Sequence, residues 1–139
     1  MAHQSTLHVE GTRYPRILEV SFSISTEKDE TGKPSDRPRC GLIKITREAT
    51  KNTDLFRWGT DSSKKNFKSG KVTFMDPQEK EELVALEFKN GFITYYEFHC
   101  PHNKNNSGDQ IYEYCEISAE ELTLGSDSVN QNWGSDLTD

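Results

Sequence analysis

Between Leu18 and Ser25 apolar and polar residues alternate without a break. Leu18, Val20, Phe22 and Ile24 stand against Glu19, Ser21, Ser23 and Ser25. A period of two places each set on its own face of a strand, so the segment demands a sheet with one face buried. Val84, Leu86 and Phe88 alternate with Ala85, Glu87 and Lys89 in the same way, and Asn90-Gly91 follows at once. Asn and Gly both accept positive φ, which suits a type I′ turn, so residues 92–100 are expected as the return strand of a hairpin. Further strands are expected over residues 6–10, 42–47, 71–75 and 110–124, the last bent or split near Ser118-Ala119-Glu120, with a first turn at Gly11-Thr12. One stretch breaks the pattern. Asn52-Thr53-Asp54 offers a helix cap ahead of Leu55, Phe56 and Trp58, with Gly59 as the exit. Many short strands with a single helix cannot cover both faces of an open sheet. The expected class is therefore mainly β: an antiparallel β-barrel, closed on itself, with one short flanking α-helix and a long extended loop.

The alternation matters because the composition is otherwise close to that of a disordered chain. Of 139 residues 32% are hydrophobic, and Leu, Ile, Val and Phe make up only about a fifth. The length suits one domain over residues 1–139, with 126–139 as a polar tail whose apolar members are Val129, Trp133 and Leu137. No apolar run approaches the roughly 20 residues of a membrane-spanning helix, and the first ten residues lack the basic start and apolar block of a secretory leader. The net charge of -6 disfavours nucleic-acid partners. Cys40, Cys100 and Cys115 are an odd number of cysteines, which reads as three free thiols. Residues 26–39 form a long charged segment with no apolar anchor, the kind of loop that carries function or stays loose.

Catalytic patterns are thin. Lys68-Ser69-Gly70-Lys71 has the residue types of a phosphate loop without its spacing. No Gly-x-Ser-x-Gly elbow is present. His99, Ser107 and Asp109 fall together only as a polar loop would place them. His99-Cys100-Pro101-His102 sets three metal-ligating residues within four, and Cys40 or Cys115 could add a fourth. Structural zinc sites draw pairs from two places, and there is no second pair, so a buried thiol between solvent-facing imidazoles is preferred. In that reading Cys100 faces inward with Phe98 and Tyr96. Tyr95, Tyr96, Tyr112 and Tyr114 could stack on bases or sugars. The acidic charge and the absence of interleaved Lys or Arg favour cross-strand packing instead. Glu79-Lys80-Glu81-Glu82 reads as a solvated charge run. No catalytic residue, metal or cofactor is expected.

The order of these features resembles a known family. Ser5-Thr6-Leu7-His8-Val9-Glu10-Gly11, the serine-alternating strand, Asp29-Glu30-Thr31-Gly32-Lys33-Pro34-Ser35, Cys40-Gly41-Leu42-Ile43-Lys44-Ile45, Asn52-Thr53-Asp54-Leu55-Phe56-Arg57-Trp58, Ser69-Gly70-Lys71-Val72-Thr73-Phe74 and the closing Val129-Asn130-Gln131-Asn132-Trp133 follow one another as in Hcp (TssD), the tube protein family of the bacterial type VI secretion system, in its Bacteroidetes form. Each motif is weak alone; the colinear series spans about residues 5–133. The resemblance implies a homo-hexameric ring that stacks into a tube, capped by a spike and surrounded by a contractile sheath. It implies a structural protein rather than an enzyme, with effector proteins as passengers of the lumen. It also implies a cytoplasmic protein that is secreted when the sheath contracts. Within that frame the loop supplies the ring-stacking candidates Asp29, Glu30, Lys33, Asp36, Arg37 and Arg39, and Trp133 is expected to dock on protein. Three alternatives stand beside it. They are the tube subunit of a related contractile injection system or phage tail, a monomeric ligand-binding β-barrel using the tyrosines, and a metal-dependent enzyme around His99, Cys100 and His102.

Overall fold

The computed structural model describes residues 5–102 and 111–133. The expected loop over 102–109 and the end of the tail, Leu137 included, therefore lie largely outside the described residues. The strands are β1 (Ser5–Val9), β2 (Thr12–Tyr14), β3 (Ile17–Ser21), β4 (Ile24–Ser25), β5 (Arg39–Cys40), β6 (Ile43–Glu48), β7 (Lys68–Met75), β8 (Glu82–His99), β9 (Tyr112–Ser118), β10 (Glu121–Leu124) and β11 (Asp127–Asn130). Among the described residues one α-helix, α1 (Asp54–Gly59), precedes a 3₁₀ turn at Lys64–Asn66. Every strand pair is antiparallel, and the main sheet runs β2-β1-β7-β8-β9-β6-β3, with β10 and β11 branching from β8.

Two expectations need correction. Asn90-Gly91 is not a hairpin turn. β8 runs straight through it for 18 residues, pairing with β7 and β10 before Asn90 and with β9 after it. Asn90 does take a positive φ of 55°, but as a corner at which the strand leaves one half of the fold for the other. Nor does the barrel close by hydrogen bonds. The sheet ends at β2 and β3, and β1 packs against β3 without a ladder. Pro15 has no N–H to give, its carbonyl accepts the Arg47 Nε at 2.9 Å, and the Arg16 carbonyl accepts the Glu48 amide at 3.0 Å. These bonds satisfy the Pro15–Arg16 turn between β2 and β3.

The core is shared by both halves. Leu7, Val9, Val72, Leu86 and Phe88 come from one, Ile17, Ile43, Ile45, Cys115 and Ile117 from the other. Leu55 and Trp58, on one face of α1, plug the opening between them. Trp58 lies 6.4 Å from the Phe88 ring and nearly parallel to it, and donates its indole N–H to the Asn66 carbonyl at 3.1 Å. Phe88 itself needs glycines beside it. A Cβ on Gly70 would stand 2.9 Å from the Phe88 ring and closer still to the His8 carbonyl, and one on Gly91 would stand 3.0 Å from the same ring. The serine-alternating segment is shorter than its pattern. A bulge after Ile17 turns Leu18 outward, and the strand breaks before Ile24, which is exposed. The long segment 110–124 divides at Ala119 into β9 and β10, as its sequence suggests.

Candidate assembly surfaces

Residues 26–39 build a structured tongue rather than a loose loop. Its base is the β4–β5 pair, Ile24 opposite Cys40 and Ser25 opposite Arg39. Above it Lys28 and Pro34 form a bridge, and the Asp29 amide donates to the Lys33 carbonyl at 2.8 Å. The Asp29 carboxylate closes the tip, accepting from the Thr31 amide at 2.9 Å, the Thr31 hydroxyl at 2.7 Å and the Lys33 amide at 3.0 Å. These bonds, the Thr31 hydroxyl first, hold the Asp29 carboxyl below the usual carboxylate range. Asp36 is likewise lowered, chiefly by the Arg39 guanidinium, whose Nη2 donates to it at 2.5 Å. Arg37 reaches away from the tongue and donates to the Gln131 carbonyl at 2.8 Å. Glu30 and Lys33 are exposed at the tip. The six charged candidates thus divide by task. Asp29, Asp36 and Arg39 shape the tongue, Arg37 fastens it to Gln131 just past β11, and Glu30 and Lys33 face outward.

At the foot of the tongue lies an aromatic groove that sequence reasoning did not foresee. Phe67 and Phe92 stack at 5.4 Å, and Trp133 leans on both, at 5.8 and 6.1 Å. The Trp133 amide donates to the Glu120 carboxylate at 2.7 Å. Arg37, Arg39 and Ser62 complete the rim. Trp133 gave the one signal in the sequence. Phe92 looked like the start of a return strand, and its outward direction follows only from the Asn90 corner.

The tyrosines pack across strands. Tyr96 faces Cys115, Tyr95 stands edge-on to Tyr114 at 6.0 Å, and His99 stacks on Tyr112 at 4.8 Å. Tyr95 and Tyr114 donate their hydroxyls to Glu97 and Glu116. Cys100 and Phe98 are exposed, contrary to the inward direction expected for them. The strand ends at His99, past Tyr96, which packs against the core only partly buried. His99 and His102 are exposed as well, and among the described residues no three His, Cys, Asp or Glu side chains gather as a metal site.

The interior holds a buried ion pair that alternation could have flagged. Arg47 continues the inward series Ile43, Ile45, and Glu113 continues Cys115, Ile117. Directly opposite on β6 and β9, they pair Nη1 to Oε2 at 2.5 Å with side chains 3% and 4% exposed. Tyr96 donates its hydroxyl to the second Glu113 oxygen at 2.6 Å, and the Arg47 guanidinium lies over the Tyr14 ring at 5.4 Å. Tyr14 in turn donates to Asp54 at the start of α1. This network ties the helix to β2 and, through Arg47, to β6, β9 and β8. Burial, with Asp54 beside it, pushes Tyr14 up to about 12. Burial raises Tyr96 too, and Cys115 to about 12.

These shifts set the alkaline limit. Cys115 ionises near 9.0 when unfolded and Tyr14 near 10.0, and in the fold both resist ionisation until about 12. Their raised folded values contribute stability that is complete below the unfolded value and lost as pH rises toward the folded one. The melting temperature is therefore expected to start falling near pH 9 and to keep falling toward pH 12. Cys115→Ala should shrink the loss between pH 9 and 10, and an unchanged profile in that variant would contradict the assignment.

No helix among the described residues is long and apolar enough to cross a membrane. Comparison with known proteins gives the surfaces a context. The sequence model described as "Hemolysin coregulated protein Hcp (TssD)" matches residues 1–134. No curated protein sequence matches the chain. Among solved structures it is similar to Hcp1 from Flavobacterium johnsoniae, at 30% identity and a TM-score of 0.78, covering 92% of this chain and 99% of that one. It is similar in fold to Hcp1 of the E. coli EAEC 042 pathovar, at 13% identity and a TM-score of 0.72, covering 93% and 99%. It shares its fold as well with a chain of the sheath–tube complex of an extracellular contractile injection system, at 15% identity and a TM-score of 0.59, covering 89% of each.

Proposed function

The chain belongs to the Hcp (TssD) family, and from that premise we infer that it is the tube subunit of a type VI secretion apparatus. The observation that carries this reading is the family match over residues 1–134. Leu18, Ile24, Phe56, Leu83 and Phe98 are exposed apolar side chains spread over β3, β4, α1 and β8. A ring subunit covers such residues with its neighbours. Six copies close by a repeated head-to-tail contact, and rings stack into a tube. The role is structural: the chain moves other proteins and transforms none. A spike at the tip, a contractile sheath outside and effector proteins in the lumen are the partners this function requires. The protein resides in the cytoplasm until the sheath contracts and then leaves the cell with the tube.

The tongue is assigned to ring stacking, with Asp29, Glu30, Lys33, Asp36, Arg37 and Arg39 as its charged residues. Its stiff, self-bonded form supports that use, since a preordered element loses little entropy when it docks. Deleting residues 29–36 should leave the melting temperature and the ring unchanged, because the segment buries nothing. Tubes seen by electron microscopy should shorten. Because the contact is charged, wild-type tubes should also shorten as salt rises. Tubes of unchanged length from the deletion would remove the tongue from the stacking contact. The secretory role is tested in the source cells. The protein should accumulate in the medium and cease to do so when the sheath gene is removed. Undiminished release without the sheath would overturn the tube function.

A further inference from the structure

Two features at opposite ends of β7 fit one another. Before its first residue lies the aromatic groove of Phe67, Phe92 and Trp133, rimmed by Arg37 and Arg39. After its last residue lies an acidic turn containing Glu79 and Glu81, which leads into Glu82 and Leu83 at the start of β8. Leu83 is 65% exposed, more than any other large hydrophobic residue among those described. The turn is rigid. The Asp76 carboxylate accepts from the Gln78 and Glu79 amides at 2.8 and 3.1 Å, and the Asp76 amide and carbonyl bond to Glu81 and Lys80. Groove and turn are separated by the eight residues of β7, about 26 Å at strand rise, so neither reaches the other within one chain.

We propose that the acidic turn of one copy docks in the aromatic groove of a second copy, with Leu83 seated against Phe67, Phe92 and Trp133 and its glutamates facing Arg37 and Arg39. The inference rests on the tube reading and deepens it by naming both halves of the ring-to-ring contact. The occupant follows from chemistry. The groove is apolar at its floor and cationic at its rim, and the turn is an apolar knob with a carboxylate collar. Arg37 is held by a neutral carbonyl, so its charge remains for the partner, while Asp36 engages Arg39 on one side only. The two surfaces differ, so the contact is head-to-tail. Because they lie at the two ends of one strand, repeating the contact carries copies along the β7 direction into an open stack. Two arginines of the tongue stand at the groove, which explains why the tongue and the stacking contact coincide.

Cysteine trapping tests this. In a Cys100→Ser background, which removes the exposed native thiol, a chain carrying both Leu83→Cys and Ser62→Cys is oxidised at concentrations where rings are present. The expected product is a disulfide ladder running past six copies, while either single variant alone gives none. Glu79→Lys, Glu81→Lys and Glu82→Lys together should weaken the ladder at least about tenfold. Mixing a lysine-turn Leu83→Cys chain with an Arg37→Glu, Arg39→Glu, Ser62→Cys chain should restore the cross-link. Rings without any cross-link overturn the inference and leave the tube reading standing. Bands that stop at six place the contact within a ring and also overturn it. So does dimerisation of a single variant, which marks a symmetric contact. Cross-linking seen only in a chain ending at Trp133 would assign the groove to residues 134–139 of its own chain. A protein that neither cross-links nor forms rings overturns the tube reading itself.

Discussion

Glu113→Gln is expected to lower stability by about 3–5 kcal/mol, because it leaves the Arg47 guanidinium charged and unpaired where water cannot reach it. The change is nearly isosteric, and glutamine can still accept from the Tyr96 hydroxyl, so packing alone predicts almost no effect. The loss comes from the charge. For a chain of this length it amounts to a fall in melting temperature of roughly 10 °C or more. Arg47→Met should cost a similar amount, since it strands the Glu113 carboxylate and frees the Pro15 carbonyl. The paired replacement Arg47→Met with Glu113→Leu is the decisive control. It removes both charges and should recover much of the loss, as apolar replacements of buried ion pairs commonly do. Thermal unfolding of the three variants checks the set. A Glu113→Gln protein as stable as the parent would show that the pair is hydrated and contributes little.

Phe88→Ala should cost about 3–5 kcal/mol, toward the top of that range. The site cannot collapse to fill the space. Two of its nearest walls are Gly70 and Gly91, which have no side chains to move, and they are fixed by the β1–β7 and β7–β8 ladders. Trp58 loses its stacked partner at the same time, and with it α1 loses its main hold on the sheet. Denaturant unfolding should give a lower midpoint, and the Trp58 fluorescence of the folded protein should shift to the red. A loss below about 1 kcal/mol would mean that the helix repacks into the gap, against the close-packed core described here. The two variants separate two sources of stability: Glu113 reports the buried polar network, Phe88 the apolar plug.

The strands were legible in the sequence because period-two alternation is a local property. Of the expected spans 6–10, 42–47 and 71–75, residues 6–9, 43–47 and 71–75 fall in strands, and Leu55 with Trp58 marks the buried face of the helix. What was not legible depends on distant partners. Asn90-Gly91 carries the positive φ that a tight turn needs, and a bulged corner within one strand needs it equally. Only β10, arriving from 30 residues downstream to pair with Lys89 and Phe88, decides between them. Closure of the barrel failed for a similar reason. Counting strands does not reveal that β1 packs against β3 without a ladder. Arg47 and Glu113 stood in phase with apolar neighbours, yet a charged residue at an inward position reads as a strand end until its partner is seen. The proposed stacking surface was half legible. The charged tongue stood out by composition. The groove beneath it did not, because Phe67, Phe92 and Trp133 come from three separate parts of the chain.

The central claim is that these outward groups belong to a repeated contact between copies. It is met most directly by light scattering on the purified chain after size exclusion, with negative-stain images of the same peak. Six copies of the 15.9 kDa chain give about 95 kDa and a ring with an open centre, and that is the expected result. A monodisperse 15.9 kDa species at every concentration, with no rings in the images, would contradict the account and return the tyrosine cluster and aromatic groove to the reading of a monomeric ligand-binding protein.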